Sequence, residues 1–188
     1  SAKGGSASGG KNQANIKIVE ADVLKFNIQD SKFKILDFRF KVVGNIPYYI
    51  TSNLLRVIFE KWPKPELIVL TIQKEVAQRI IAKPPHMNLL ALSVQYYADP
   101  KIISYVSKNN FRPIPKVDSA IIKLTTKHIT HNKQQTEKLF KLMRTGFSGK
   151  RKQLKNTLGL EVLKDSKINP KSRPEELSLQ DWGDLSTK

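Results

Sequence analysis

The sequence predicts an α/β sheet followed by a small all-α unit, and three observations carry that prediction. Short β-branched runs alternate with stretches of helical spacing as far as about residue 126. Beyond about Thr130 the strand signals stop and three helical segments remain. With 188 residues, 39% of them apolar and 26% charged, the chain has enough apolar side chains to bury a core.

Each element has its own reason. Ser1 to Gly10 are small and polar, with two Gly-Gly pairs and nothing apolar before them. A phosphate-binding fingerprint needs spaced glycines between a strand and a helix, so residues 1–10 read as a tag remnant or flexible linker. Ile16–Val19 and Lys41–Gly44 are short strand candidates. From Ile50 to Lys61, Leu54, Leu55, Ile58 and Phe59 share one helical face, with Thr51 or Ser52 placed to cap. Glu66 to Ile72 is nearly all apolar, the pattern of a strand covered on both faces. Helices are expected over Lys74–Ile81, stopped by Pro84-Pro85, and over Asn88–Tyr97. Two late strands, Ile102–Val106 and Ser119–Thr125, flank the proline-rich Phe111–Pro115. Helices near Gln134–Thr145, Lys150–Leu158 and Leu177–Leu185 complete the reading. A boundary near residues 126–132 divides an α/β unit, 11–128, from a helical unit, 129–188.

Charge narrows the partner. Lys+Arg number 33 against 16 Asp+Glu, a formal +17 that favours polyanions, nucleic acid first. The excess is not confined to one end, since the part from Lys127 onward carries +7 of it. Its densest cluster is Lys150, Arg151 and Lys152, with Lys155 a turn later, placed to follow a phosphate strand. The absence of cysteine excludes disulfide frameworks, thiolate metal sites and cysteine nucleophiles, and fits a reducing compartment. No run approaches the roughly 18 apolar residues of a spanning helix. The expectation is a soluble cytoplasmic monomer with no membrane partner. His128 and His131 lack a neighbouring carboxylate or thiolate set, and no metal is expected.

One tetrad carries chemistry. Asn45-Ile46-Pro47-Tyr48 follows a strand and precedes a helix, the carboxyl edge where open α/β sheets bind ligands. Methyl transfer to an exocyclic amine suits these residues. The adenine amino lone pair is delocalised into the ring, so two in-plane acceptors are needed to favour the pyramidal nitrogen of the transition state. The Asn45 side-chain oxygen and the Ile46 carbonyl are those acceptors, with Pro47 stiffening the turn that aims the second. Tyr48 offers a flat face to an unstacked base, and Phe111 also sits in a proline-containing loop just past a strand.

These residues lie in longer blocks. Asn45–Ile50 (NIPYYI) resembles motif IV of the rRNA adenine dimethyltransferases of the KsgA type and their Erm relatives. Phe111–Leu124 (FRPIPKVDSAIIKL) is similar to their F-x-P-x-P-K-V-x-S block. Glu20–Phe26, Gly146–Leu158 and Arg173–Leu185 resemble further segments in the same order. The resemblance implies a Rossmann-like class I methyltransferase sheet and a C-terminal helical rRNA-binding domain. It also implies S-adenosylmethionine as cofactor and N6,N6-dimethylation of two adjacent adenosines in small-subunit rRNA during ribosome biogenesis. On that basis Asp22 and Val23 match the residues that bind the cofactor's adenine. Asn45 matches the catalytic asparagine between cofactor and base, and Tyr48 and Phe111 the aromatics that sandwich the flipped adenine. Lys150, Arg151, Lys152 and Lys155 match the RNA-facing helix.

The family's opening glycine-rich loop and the acidic residue about 20 positions after it are missing, so the sheet is expected to be partial. A truncated form of a longer enzyme, inactive as it stands, explains this best. A non-catalytic RNA-binding or ribosome-assembly module and an Erm-type large-subunit rRNA methyltransferase are the alternatives. Titration of the 188-residue chain with S-adenosylmethionine is expected to show no saturable micromolar binding. Ordinary micromolar affinity would contradict that reading.

Overall fold

A computed structural model of the chain describes residues 18–28, 40–149 and 151–187. Four strands form one mixed sheet: β1 (Lys41–Asn45), β2 (Leu67–Gln73), β3 (Ala98–Val106) and β4 (Ser119–Thr126), in the order β1-β2-β4-β3. β1 runs parallel to β2, with Val43 opposite Val69 and Asn45 opposite Thr71. β4 is antiparallel to both neighbours, placing Ile121 opposite Thr71 and Ser119 opposite Gln73 and Val106. β3 lies at an edge, where Pro100 costs no ladder bond to a second neighbour, and its register slips between Ile102 and Ser104.

One face of this sheet is sealed. Ile68, Leu70 and Ile72 of β2 and Ala120, Ile122 and Leu124 of β4 are buried there. They meet α1 (Thr51–Lys61) through Leu54, Leu55 and Ile58, α2 (Lys74–Ile80) through Ala77 and Ile80, and α3 (Leu89–Tyr97) through Val94. The opposite face is more open: Val43 is 78% exposed, while Leu67, Val69 and Ile121 are partly covered. Among the described residues α1, α2 and α3 all pack on one side, so β2 is fully covered on that face and only partly on the other, against the expectation of equal cover.

Four other readings also change. Ile18 and Val19 form no strand, and Ile18 is almost fully exposed; Ile16 and Lys17 lie outside the described residues. The N-cap of α1 is Ile50, with no side-chain cap, and Thr51 Oγ1 instead donates to the Tyr48 carbonyl at 3.0 Å. β3 begins four residues before the predicted strand, directly from α3. The predicted helix over 150–158 shrinks to α5 (Leu154–Thr157), since Gln153 is extended at φ −71°, ψ 154°. The amides of Leu154 and Lys155 donate to the carbonyls of Ser172 and Pro170, at 2.8 and 3.0 Å, rather than continuing a helix backward.

A second core joins the helical part to α3. Leu139 and Met143 of α4 (Lys133–Gly146), Leu154 of α5, Leu163 of α6 (Leu160–Leu163) and Trp182 and Leu185 of α7 (Leu179–Ser186) pack with Met87, Ala91, Leu92 and Tyr96. α3 thus presents Val94 to one core and Ala91, Leu92 and Tyr96 to the other. Capping boxes start α4 (Asn132 with Gln135) and α7 (Ser178 with Asp181), each satisfying amides that no helical carbonyl reaches. Tyr97 stacks on Phe59 at 5.0 Å between ring centres and faces Phe140, across the seam between the cores. His131 is drawn into the same cluster, stacked on Tyr96 with Nδ1 3.1 Å from its hydroxyl.

Two measurements check this packing. A Cβ on Gly146 would collide with the buried Trp182 ring, so Gly146→Ala is expected to lower stability by about 1–3 kcal/mol in chemical denaturation. Burial, aided by the charge of Glu60, holds the Tyr97 hydroxyl proton until about pH 12. The unfolded chain gives up that proton nearer pH 10.0, so stability is lost as pH rises between these values. Tyr97→Phe should remove that part of the alkaline destabilisation together with the late tyrosinate absorbance step.

Candidate active site

The site is built at the sheet edge where β1 ends and β4 begins. Asn45 is the last residue of β1 and is exposed. Gly44 before it passes close to neighbouring side chains: a Cβ there would stand 3.2 Å from Ile46 Cγ2 and 3.4 Å from Leu70 Cδ2. After Pro47 the chain tightens into a single 3-10 turn, Tyr48–Ile50, closed by the Ile50 amide on the Pro47 carbonyl at 3.2 Å. α1 follows directly, so Asn45–Tyr48 lies between a paired strand and a helix anchored in the core.

Phe111 arrives from the other direction. A turn at Lys108–Asn110, capped by Ser107 Oγ on the Asn109 amide, delivers it, and the Phe111 amide donates to the Lys108 carbonyl. Asp118 Oδ1 accepts from the Lys108 amide at 3.1 Å, and the Asp118 carbonyl accepts from the Lys74 amide at 3.0 Å. Arg112 Nη1 donates to the carbonyls of Asn109 and Phe111, folding the guanidinium back on its own turn.

Together these segments enclose an open concavity of about 280 Å³, lined by Asn45, Ile46, Pro47 and Tyr48 on one side and Phe111 and Arg112 on the other. Tyr48 and Phe111 are half-buried. Among the described residues the Asn45 side-chain amide makes no hydrogen bond, so its oxygen is available to an incoming amine. The Tyr48 hydroxyl is engaged elsewhere, 2.6 Å from Ser119 Oγ. The ring can therefore offer a face to this concavity while its oxygen is held at β4. A larger cavity, about 820 Å³, lies in the helical part among Leu142, Leu158, Val162 and Leu185, with Lys138, Lys141, Glu161, Lys164 and Asp165 also in its lining; none of the anticipated site residues reaches it.

The other anticipated residues fall outside the concavity. Asp22 is exposed, and its Oδ1 accepts from the Leu24 amide at 2.9 Å in a turn closed by the Lys25 amide on the Asp22 carbonyl. Val23 and Leu24 pack on the edge of the first core, and the Phe26 carbonyl accepts from Trp62 Nε1. Arg151 and Lys152 are exposed in the turn before α5, Lys155 is on α5, and Lys150 lies outside the described residues. Sequence reasoning assigns Ser119 and Asp118 no role at the site and reads Thr51 only as a helix cap. For Ser119 the only available signal was its place at the end of the Phe111–Ser119 block.

The family pattern described as ribosomal RNA adenine dimethylase matches residues 8–187. The chain is 39% identical, over 186 residues, to a ribosomal RNA small subunit methyltransferase A of Dehalococcoides mccartyi strain CBDB1, covering 93% of this chain and 63% of that protein. It is 41% identical to the protein of the same name from Crocosphaera subtropica, covering 92% and 70%. It thus spans somewhat under two thirds of the Dehalococcoides relatives' length. Among solved structures, a dimethyladenosine transferase from Plasmodium falciparum aligns at TM-score 0.65 and 25% identity, over 78% of this chain and 65% of that one. The 23S rRNA methyltransferase ErmE aligns at TM-score 0.70 and 22% identity, over 92% and 71%, and shows the shared fold.

If the exposed amide of Asn45 serves a bound base rather than the fold, Asn45→Ala should leave thermal stability within about 0.5 kcal/mol of the parent. A large loss of stability on that substitution would place Asn45 in the structural framework instead.

Proposed function

The chain belongs to the ribosomal RNA adenine dimethylase family, and on that premise we propose that its Asn45–Tyr48 site directs methyl transfer to the exocyclic amine of adenosine in small-subunit rRNA. The product is N6,N6-dimethyladenosine at two adjacent positions, made as the subunit is assembled. The observation that carries this reading is the meeting of Asn45, Ile46 and Tyr48 with Phe111 across one concavity, from loops far apart in the sequence.

Each residue has a task in that chemistry. Tyr48 and Phe111 receive the ring of an extruded adenine, replacing the stacking it loses on leaving its strand. Asn45 Oδ1 and the Ile46 carbonyl accept the two amino hydrogens in the first transfer, and one of them accepts the single remaining N–H in the second. Both acceptors gain strength as the nitrogen becomes pyramidal and positive, so they act on the transition state more than on the bound base. Pro47 limits the backbone motion that would let the second acceptor drift.

S-adenosylmethionine supplies the methyl group as an electrophilic sulfonium. The residues present fit its adenine end in part: the Asp22 carboxylate is exposed, with Oδ1 on the Leu24 amide and Oδ2 4.0 Å from Nζ of Lys25 in the same turn. Asp22 and Val23 would hold that end, with Asn45 between cofactor and base. Among the described residues no glycine-rich turn is present to cradle the methionine end. The helical unit, 129–188, is assigned to rRNA, with Arg151 and Lys152 exposed toward a phosphate strand. The exposed basic pair Arg151 and Lys152 equally suits one second reading, an RNA-binding assembly module without turnover of its own.

Undermethylated small subunits and labelled methyl donor separate these readings. The chain is assayed as it stands and with the N-terminal segment of its Dehalococcoides relative appended. Label on two neighbouring small-subunit adenosines, reduced about 10²–10³-fold by Asn45→Ala, is expected of the extended protein. Full methylation by Asn45→Ala would overturn the catalytic assignment, and retained RNA binding without label would favour the assembly module.

A further inference from the structure

We propose that Ser119 is a positioning residue for the proposed aromatic slot: its hydroxyl fixes the Tyr48 ring in the orientation that receives a base. The inference rests on the reading of Tyr48 and Phe111 as the two walls of that slot. Ser119 and Tyr48 are 71 residues apart, yet their hydroxyl oxygens lie 2.6 Å from each other. That separation is short for an O–H···O contact, and Ser119 is fully buried, so water does not compete for its hydroxyl.

The two partners differ in freedom. Ser119 is the first residue of β4, paired with Gln73 on one side and Val106 on the other, so its oxygen is a fixed point of the sheet. Tyr48 opens the short 3-10 turn before α1 and is only half-buried, so its ring torsion is broad unless something holds the far end. Its near end is held as well, because Thr51 Oγ1 donates to its carbonyl. With both ends tethered, the ring keeps one plane. The opposite wall depends on the neighbouring residue, since Asp118 Oδ1 anchors the turn that delivers Phe111. Adjacent residues at the start of β4 therefore set the spacing of both walls. The same contact commits the Tyr48 oxygen to the sheet, which leaves the residue the role of a stacking face rather than a proton carrier.

Fluorine NMR of the full chain carrying fluorotyrosine tests this directly. The chain has five tyrosines, and the Tyr48 line is identified by its loss in Tyr48→Phe. Ser119→Ala is expected to shift and broaden the Tyr48 line while the other four stay in place. In parallel, a single-stranded RNA bearing the fluorescent adenine analogue aminopurine reports stacking by quenching. Affinity through the slot should fall about five- to tenfold in Ser119→Ala and in Tyr48→Phe, with no further loss in the double variant. An unmoved Tyr48 line, or additive losses, would overturn the proposal. Absence of quenching by the parent chain would remove the base-slot reading, while the NMR result still decides Ser119's role. Should Ser119→Ala unfold, Tyr48→Phe deletes the same hydrogen bond from the half-buried side, and undiminished quenching there would overturn the proposal.

Discussion

The site depends on a matter of register. β1 and β2 run parallel and both end at one edge of the sheet, while β4 starts there because it is antiparallel to β2. Asn45, Thr71 and Ile121 stand in one row, and Ser119 lies one same-face step further toward the edge, opposite Gln73. The turn leaving β1 and the loop entering β4 must therefore meet. A shift of one residue in either pairing would send Asn45 or Ser119 to the other face of the sheet. The apolar pattern of β2 and β4 forbids that shift, because it would expose Ile68, Leu70, Ile122 and Leu124.

That register is held by burial well away from the chemistry. Three helices pack on the sealed face, and α3 carries the connection onward into the helical core. Tyr96, Tyr97, Phe59 and Phe140 close the seam between the two cores with stacked and edge-on contacts. The site itself adds little to this framework. Asn45 and Arg112 are exposed, and Tyr48 and Phe111 only half-buried.

How much of this could be read in advance varied with the physics behind each element. β1, α1, β2, α2, α3 and β4 were legible to within a residue or two, because each has a clear apolar period and a proline, turn or cap at its end. Asn45–Tyr48 and Phe111 were singled out in the sequence because that chemistry restricts residue type, and the structure brings them to one concavity. The strand expected at Ile16–Val19 was not supported at Ile18 and Val19, which are exposed and unpaired: β propensity without a neighbour to pair with does not make a strand. Helical spacing in Lys150–Leu158 gave too long a helix, since the amides of Leu154 and Lys155 bond to the 170–172 loop, a contact distant in sequence. The bond between Ser119 and Tyr48 was illegible for the same reason. Nothing local to either residue marks a partner 71 positions away.

In the proposed function Asn45 and Ile46 hold an adenine amine while Tyr48 and Phe111 hold its ring. A crystal structure of the chain with a short adenosine-containing RNA tests it most directly. One extruded adenine is expected between the two aromatic rings, its amino nitrogen within hydrogen-bond distance of Asn45 Oδ1 and the Ile46 carbonyl. RNA bound with every base stacked in the strand, or an adenine seated elsewhere while this slot stays empty, would contradict it.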